Sequence, residues 1–257
     1  RKVLLVFNGC YHGTVDDVFV DLVDGRAVQR DSLLGQVHAL TQTTRVVEFN
    51  DLAALEAALA PGDVACVLAE PVMTNIGIIH PDPGYHAALR ELTRRTGTLL
   101  VIDETHTICV GPGGATREWG LEPDFFVIGK PIGGGMPAAA YGCTREIAER
   151  LDGLLCDPEV DTSGVGGTLT GNALAMAAVK ATLTTTLRED DFLYIKLGSL
   201  KPICPLVTYS PPSAEAKARA KTIRNIVEER FGERLSQPQE PRFAFIDEFT
   251  QRTTEDS

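Results

Sequence analysis

The sequence has no apolar run long enough to cross a bilayer, which takes about 20 residues. Its longest runs, such as Val3 to Phe7 and Leu99 to Ile102, are far shorter. No membrane span is expected. Arg1-Lys2 leads into only five apolar residues, so no secretory leader is expected either. The six cysteines (Cys10, Cys66, Cys109, Cys143, Cys156, Cys204) include no C-x-x-C pair. Zinc spacing is therefore absent and a disulfide framework is not expected. Most should be small buried apolar residues of a reducing compartment, the cytoplasm. None of the five histidines falls in H-E-x-x-H, and no metal site is expected. Basic residues are also few, 24 against 35 acidic ones, for a net charge of −11. That balance argues against nucleic acid or an anionic membrane as partner.

What is present reads as a soluble globular chain. At 257 residues and 44% hydrophobic content, it can bury a full core as one large domain or two small ones. Strand-like and helix-like segments alternate. Val3–Phe7, Arg45–Phe49 and Val64–Ala69 read as strands. Asp51 is placed to cap a helix with Leu52, Leu55, Ala58 and Leu59 inward, ended by Pro61-Gly62. Tyr85 to Arg95 reads as a second helix, with Leu89, Leu92 and Thr93 inward. Leu99–Ile102, Phe125–Gly129 and Ala138–Cys143 follow as strands, and Gly171–Leu187 as an Ala-rich helix. This order predicts a mostly parallel sheet with helices on both faces. From about Leu193 the pattern breaks, and six of the 15 prolines fall beyond it. One amphipathic segment, Ala214 to Phe231, stands there before a polar tail.

Asp103 and Lys130 carry most of the chemical signal. Asp103 ends one apolar run, and Lys130 ends another before Pro131-Ile132-Gly133-Gly134-Gly135. Both sit where a buried parallel strand would end, which is where open α/β sheets place ligands. A carboxylate and an amine meeting there suit pyridoxal phosphate. The amine forms a Schiff base with the aldehyde, and the carboxylate keeps the pyridine nitrogen protonated. Partial burial would push Lys130 toward its neutral, nucleophilic form, and the glycines would let backbone crowd a ligand. A strand-end lysine facing solvent is the plainer alternative.

The Asp103-Glu104 pair also resembles a Walker B strand, but that reading needs a phosphate loop. The nearest string has Asp124 for its first glycine and Pro131 for Ser/Thr. No G-x-G-x-x-G follows the first strand, so a dinucleotide fold fails as well. Thr168 and Thr170 open the Ala-rich helix and could hold an anion, or simply cap it. Tyr11 could offer a ring face, and Glu70 ends the third strand with a carboxylate.

In order, the strings Asn8-Gly9-Cys10-Tyr11-His12-Gly13, Glu70-Pro71-Val72-Met73-Thr74-Asn75-Ile76-Gly77, Asp103-Glu104, Gly129 to Gly135 and Gly167 to Asn172 resemble the class III pyridoxal-phosphate aminotransferases. The likeness is greatest to the glutamate-1-semialdehyde aminomutase branch, and it runs from about Lys2 to Leu187. It implies a fold type I large domain over residues 1–190, lacking its N-terminal part, and an irregular or helical segment over 191–257. By the resemblance, Lys130 and Asp103 are catalytic, as Schiff-base lysine and pyridine partner. Tyr11 stacks on the ring with His12 beside it, and Glu70 stands near the cofactor. Thr168 binds the phosphate held by a neighbouring subunit, which implies a homodimer with shared sites. Asn75, in place of a second glutamate, favours the aminomutase-like branch. Where that branch has Val-Met, this chain has Thr105-His106, and His106 reads as a satisfied turn histidine.

The implied activity moves an amino group on a small amino acid or a keto or aldehyde compound. Racemisation or decarboxylation on the same fold, or a truncated and catalytically silent homologue, are the alternatives.

Overall fold

The computed structural model describes residues 1–33, 35–161 and 166–187. The segment Ala214 to Phe231 and the prolines after Leu193 lie outside the described residues. The chain divides into compact units Arg1–Tyr209 and Ser210–Ser257, and every described residue belongs to the first. Among the described residues, no helix is long and apolar enough to cross a membrane.

The first strand, β1 (Val3–Phe7), buries Leu5, Val6 and Phe7 completely. An antiparallel hairpin follows, β2 (Val20–Val23) and β3 (Arg26–Gln29), outside the main sheet. Nothing in the alternation of the sequence announced it, because its burial is one-sided and partial. The strands β4 (Thr44–Val47), β5 (Val64–Ala69), β6 (Leu99–Asp103), β7 (Phe125–Ile128) and β8 (Ala140–Cys143) join β1 in one sheet. The order is β4-β1-β5-β6-β7-β8, parallel from β4 through β7, with β8 antiparallel to β7. The mostly parallel sheet is as expected.

That order decides where a ligand can sit. From β1 the chain steps outward to β4, then returns across β1 to β5 and continues to β6 and β7. Chain leaving β1 and chain leaving β5 depart in opposite directions, which opens a crevice at their carboxyl ends.

Two helices cover one face of the sheet. The first, α1 (Leu52–Leu59), is capped by Asp51, whose carboxylate accepts from the Ala54 N–H at 2.8 Å. Leu55 and Leu59 are buried, whereas Leu52 is 38% exposed rather than inward. Leu52 is the first residue of the helix, beside the cap, where little packs over it. The second, α2 (Tyr85–Thr96), buries Tyr85, Leu89, Leu92 and Thr93 and stops at Gly97, whose φ of 60° closes the last turn. His86 and Arg90 share a groove with Leu100 and Ile102, which places α2 over that face. Phe7, Phe49 and Tyr85 meet there as an aromatic cluster, with ring centres 4.7 to 6.3 Å apart. On the opposite face Cys66, Val101, Phe125 and Val127 line a shallow apolar groove.

One clamp registers the last parallel strand. Arg90 on α2 grips Asp124 through two bonds of 2.8 Å, and Asp124 also accepts from the Leu100 N–H at 2.7 Å. Burial disfavours the Asp124 charge, but Arg90 outweighs it and holds the carboxyl below its ordinary value. The clamp fixes where β7 starts, and so where Lys130 emerges beyond its end.

Three further helices follow the catalytic-looking motifs. They are α3 (Gly114–Glu118), α4 (Arg145–Leu155), which has no buried residue, and α5 (Ala173–Thr185). The cysteines depart from expectation. Cys10 is buried, Cys66, Cys109 and Cys143 are half-buried, and Cys156 is exposed. Cys143 and Cys156 lie on the edge strand and just after α4, where little packs over them.

Candidate functional site

Asp103 is the last residue of β6, a strand flanked on both sides, and only 7% of it is exposed. Its Oδ1 accepts the Thr105 N–H at 2.9 Å, and its Oδ2 lies 2.8 Å from His12 Nδ1. Burial opposes the charged carboxylate, but the bonds from His12 and Thr105 prevail and lower its pKa. His12 arrives from the loop after β1. Burial opposes its charge too, yet the bond to Asp103, with help from Cys10, raises its pKa to about 9. At neutral pH the two form a buried ion pair. His12 Nε2, on the far side of the ring, is buried with no partner among the described residues.

Glu70 directly follows β5, the strand between those of His12 and Asp103. It is 3% exposed and accepts from Thr74 N–H at 3.4 Å and from Thr74 Oγ1 at 2.5 Å. Burial pushes its pKa up, the Thr74 bonds and the His12 charge pull it down, and the Asp103 charge raises it again. Nearby, Asn75 Nδ2 donates to the Gly9 carbonyl at 3.0 Å, tying the loop after β5 to the loop after β1.

Lys130 follows β7 in a 3₁₀ turn, Lys130–Gly133, and takes a φ of 42° in the left-handed region. A non-glycine residue there costs about 1–3 kcal/mol and marks a position held by its surroundings. Asp103 pairs in register with Val127 and the Glu104 N–H bonds the Val127 carbonyl at 2.8 Å, so both residues leave neighbouring strand ends. The lysine is exposed rather than partly buried, because it lies beyond the last strand residue in a turn at the sheet rim. Its Nζ is 2.5 Å from His106 Nε2. His106 therefore has a side-chain partner, as a satisfied turn histidine does, and that partner is Lys130. The place of His106, three residues past Asp103 on the same rim, was the available signal.

The triple glycine serves packing more than ligand approach. A Cβ on Gly134 would collide with Thr182 of α5, and one on Gly133 would come within 3.1 Å of Ala138. Gly135 alone of the three faces open space. Tyr11 is 39% exposed, with its ring edge-on to Phe19 at 6.1 Å. Thr168 is exposed in the turn before α5 and bonds none of His12, Glu70, Asp103 or Lys130. The structure therefore brings His12, Glu70 and Asp103 together, sets Lys130 on the adjacent strand end, and leaves Tyr11 and Thr168 at the surface.

Residues 1–194 match the aminotransferase class-III family model. The chain belongs to that family. It is 40% identical over 204 residues to glutamate-1-semialdehyde 2,1-aminomutase of Acidobacterium capsulatum, covering 78% of this chain and 46% of that protein. Among solved structures it is similar to a glutamate-1-semialdehyde-aminomutase from Pseudomonas aeruginosa PAO1 in complex with PMP. That likeness has a TM-score of 0.72 and 49% identity, over 78% of this chain and 46% of the other. An omega-transaminase from Sphaerobacter thermophilus matches with a TM-score of 0.64 and 29% identity, over 78% and 46%. The chain spans about half the length of the curated relatives it matches. Its fold is that of the fold type I large domain.

Proposed function

We propose that residues 1–190 are the large-domain part of a pyridoxal-phosphate enzyme that moves an amino group on a small amino acid or a keto or aldehyde compound. The observation that carries this reading is Asp103, buried yet kept ionised, on the strand end next to that of Lys130. The fit rests on the site itself. A buried carboxylate held in its charged form suits a protonated pyridine nitrogen, and each of its oxygens has one described bond, a count that leaves acceptor capacity unused. The amine that the group requires stands on the adjacent strand.

The cofactor, when bound, supplies an aldehyde that takes up amino groups and a ring that withdraws electrons. This chain's residues supply the rest. Asp103 would hold its charge for the ring nitrogen, and His12, bonded to its Oδ2, would keep it ionised. Lys130 Nζ would anchor the cofactor and, once released, would be the base that moves the proton on which amino-group transfer depends. Tyr11 presents its exposed ring as a stacking face, and Glu70 keeps a carboxylate at the crevice. Thr168, exposed in the turn before α5, would bind the phosphate held by a second copy in a homodimer with shared sites. The likeness to aminomutases at 40% identity and above favours an aminomutase-like reaction, and Asn75 agrees. The cysteine usage supports a cytoplasmic setting.

The test is attachment. Purified chain is mixed with pyridoxal phosphate, reduced with borohydride and mapped by peptide mass spectrometry. A single adduct on Lys130, lost in Lys130→Ala, is expected. Labelling spread over surface lysines would overturn the reading. A labelled amino donor then separates amino transfer from racemisation or decarboxylation by its products.

A further inference from the structure

We propose that His106 is the proton acceptor that readies Lys130: its Nε2 takes a proton from the Lys130 ammonium, leaving a neutral amine free to attack, and later returns it. The inference rests on the reading of Lys130 as the cofactor lysine and adds a positioning residue that acts through it.

The geometry is direct. Nζ and Nε2 are 2.5 Å apart across 24 residues of sequence. Nitrogen to nitrogen, such a contact needs one partner to donate and the other to accept. A lysine ammonium has only donors, so the imidazole must be neutral, with its proton on Nδ1. The surroundings favour that state. Burial and then the Lys130 charge lower the His106 pKa, while Asp103 works the other way and is outweighed. His12 bonds Oδ2 of that carboxylate, and Glu70 feels its charge. The backbone that carries the ring is also held. Its turn begins where the Thr105 N–H bonds Asp103, and Cys109 Sγ donates to the His106 carbonyl at 3.0 Å. Against the other turn, a Cβ on Gly129 would sit 3.6 Å from Thr105 Oγ1, so the two turns approach closely.

The transfer balances without any further reagent. One N–H bond of the ammonium breaks and one forms on Nε2, and the positive charge moves from Nζ to the imidazole, whose partial burial makes it a transient holder that returns the proton. Accepting one N–H also fixes the direction of the two that remain, which orients the lysine for its proton transfers.

Two measurements on the full chain test this, the first without any cofactor. In protein carrying isotope-labelled histidine, NMR titration should show His106 with Nε2 unprotonated. Its midpoint should rise in Lys130→Met. An unchanged midpoint, or a proton on Nε2, would overturn the pairing. The second is the pH profile of borohydride-trapped attachment of pyridoxal phosphate to Lys130. Wild type should lose rate as pH falls through the His106 midpoint. His106→Gln, which keeps a polar side chain but cannot titrate, should attach about a hundredfold more slowly and without that inflection. His106→Asn guards against misfolding of a single variant. A wild-type rate and profile in both variants would overturn the proposal while leaving the assignment of Lys130 intact. Absence of wild-type attachment, with the NMR coupling present, would instead defeat the cofactor reading and leave the proton pairing standing.

Discussion

His12 Nδ1 lies 2.8 Å from Asp103 Oδ2, although the two residues follow strands that are not neighbours. β5 runs between β1 and β6, so the imidazole reaches over the end of that strand, past Glu70, to meet the carboxylate. The pair ties the loop after β1 to the centre of the sheet. It also sets the charge that the crevice presents.

Removing the imidazole should therefore cost more than a surface substitution. His12→Ala leaves Asp103 buried with only its Thr105 bond among those described. Breaking one side of a buried pair costs about 3–5 kcal/mol. Urea unfolding at neutral pH measures it, and a loss under about 1 kcal/mol would show that the pair is not held.

The pair also gives stability a pH signature. The His12 pKa is raised from 6.5 to about 9, so its contribution is whole below 6.5 and is lost as pH rises through about 9. The Asp103 pKa is lowered from 3.8, so its contribution is whole above 3.8 and is lost as pH falls through its folded value. The difference in unfolding free energy between wild type and His12→Ala should be largest between those limits. A difference that grows from pH 7 to 10 would contradict the sign.

Asp103→Asn keeps the shape and removes the charge. Burial then acts on His12 against the help of Cys10 alone, and its midpoint should drop well below about 9 by NMR. If the proposed function holds, borohydride should still trap the cofactor on Lys130 while turnover falls by about a hundredfold or more. Unchanged turnover would remove the role given to Asp103.

Glu104 is fully buried and accepts from Thr107 Oγ1, from Ala115 N–H at 3.2 Å and from Thr116 N–H. It holds the turn after β6 against the start of α3. Glu104→Ala strands three donors, each worth about 1–3 kcal/mol when left unpaired. Thermal unfolding should show one of the largest losses of any single substitution at this rim.

Gly9 stands at φ 74° just before Tyr11 and His12, and a Cβ there would fall 2.7 Å from Ile76 Cγ2. Gly9→Ala combines that clash with left-handed strain of about 1–3 kcal/mol. Pairing it with Ile76→Ala should relieve the clash and leave the strain. Full recovery in the double variant would mean that the backbone conformation carries no cost.

Much of the sheet was legible because its signals are local. An apolar run of four to six residues closed by a polar group reads as a buried strand wherever it stands. The strands that carry Asp103 and Lys130, the Asp51 cap and the α2 face all follow from such patterns. The hairpin β2–β3 and the short α3 were not legible, since neither has a full apolar period. The exposure of Leu52 escaped, and that of Lys130 was one of two open alternatives, because burial depends on what packs above a residue rather than on its neighbours in the chain.

By itself the sequence determined which residues stand at strand ends, because alternating burial and the polar group that closes each run are written within a few residues. It also placed Glu70, Asp103 and Lys130 on one rim, since parallel strands must all end on the same side. Only the tertiary structure decided which of them meet. The strand order β1-β5-β6-β7 carries His12 across Glu70 to Asp103 and sets the turn of His106 beside that of Lys130. Those contacts span 91 and 24 residues, and their distances are fixed by sheet spacing and turn geometry that no local pattern encodes.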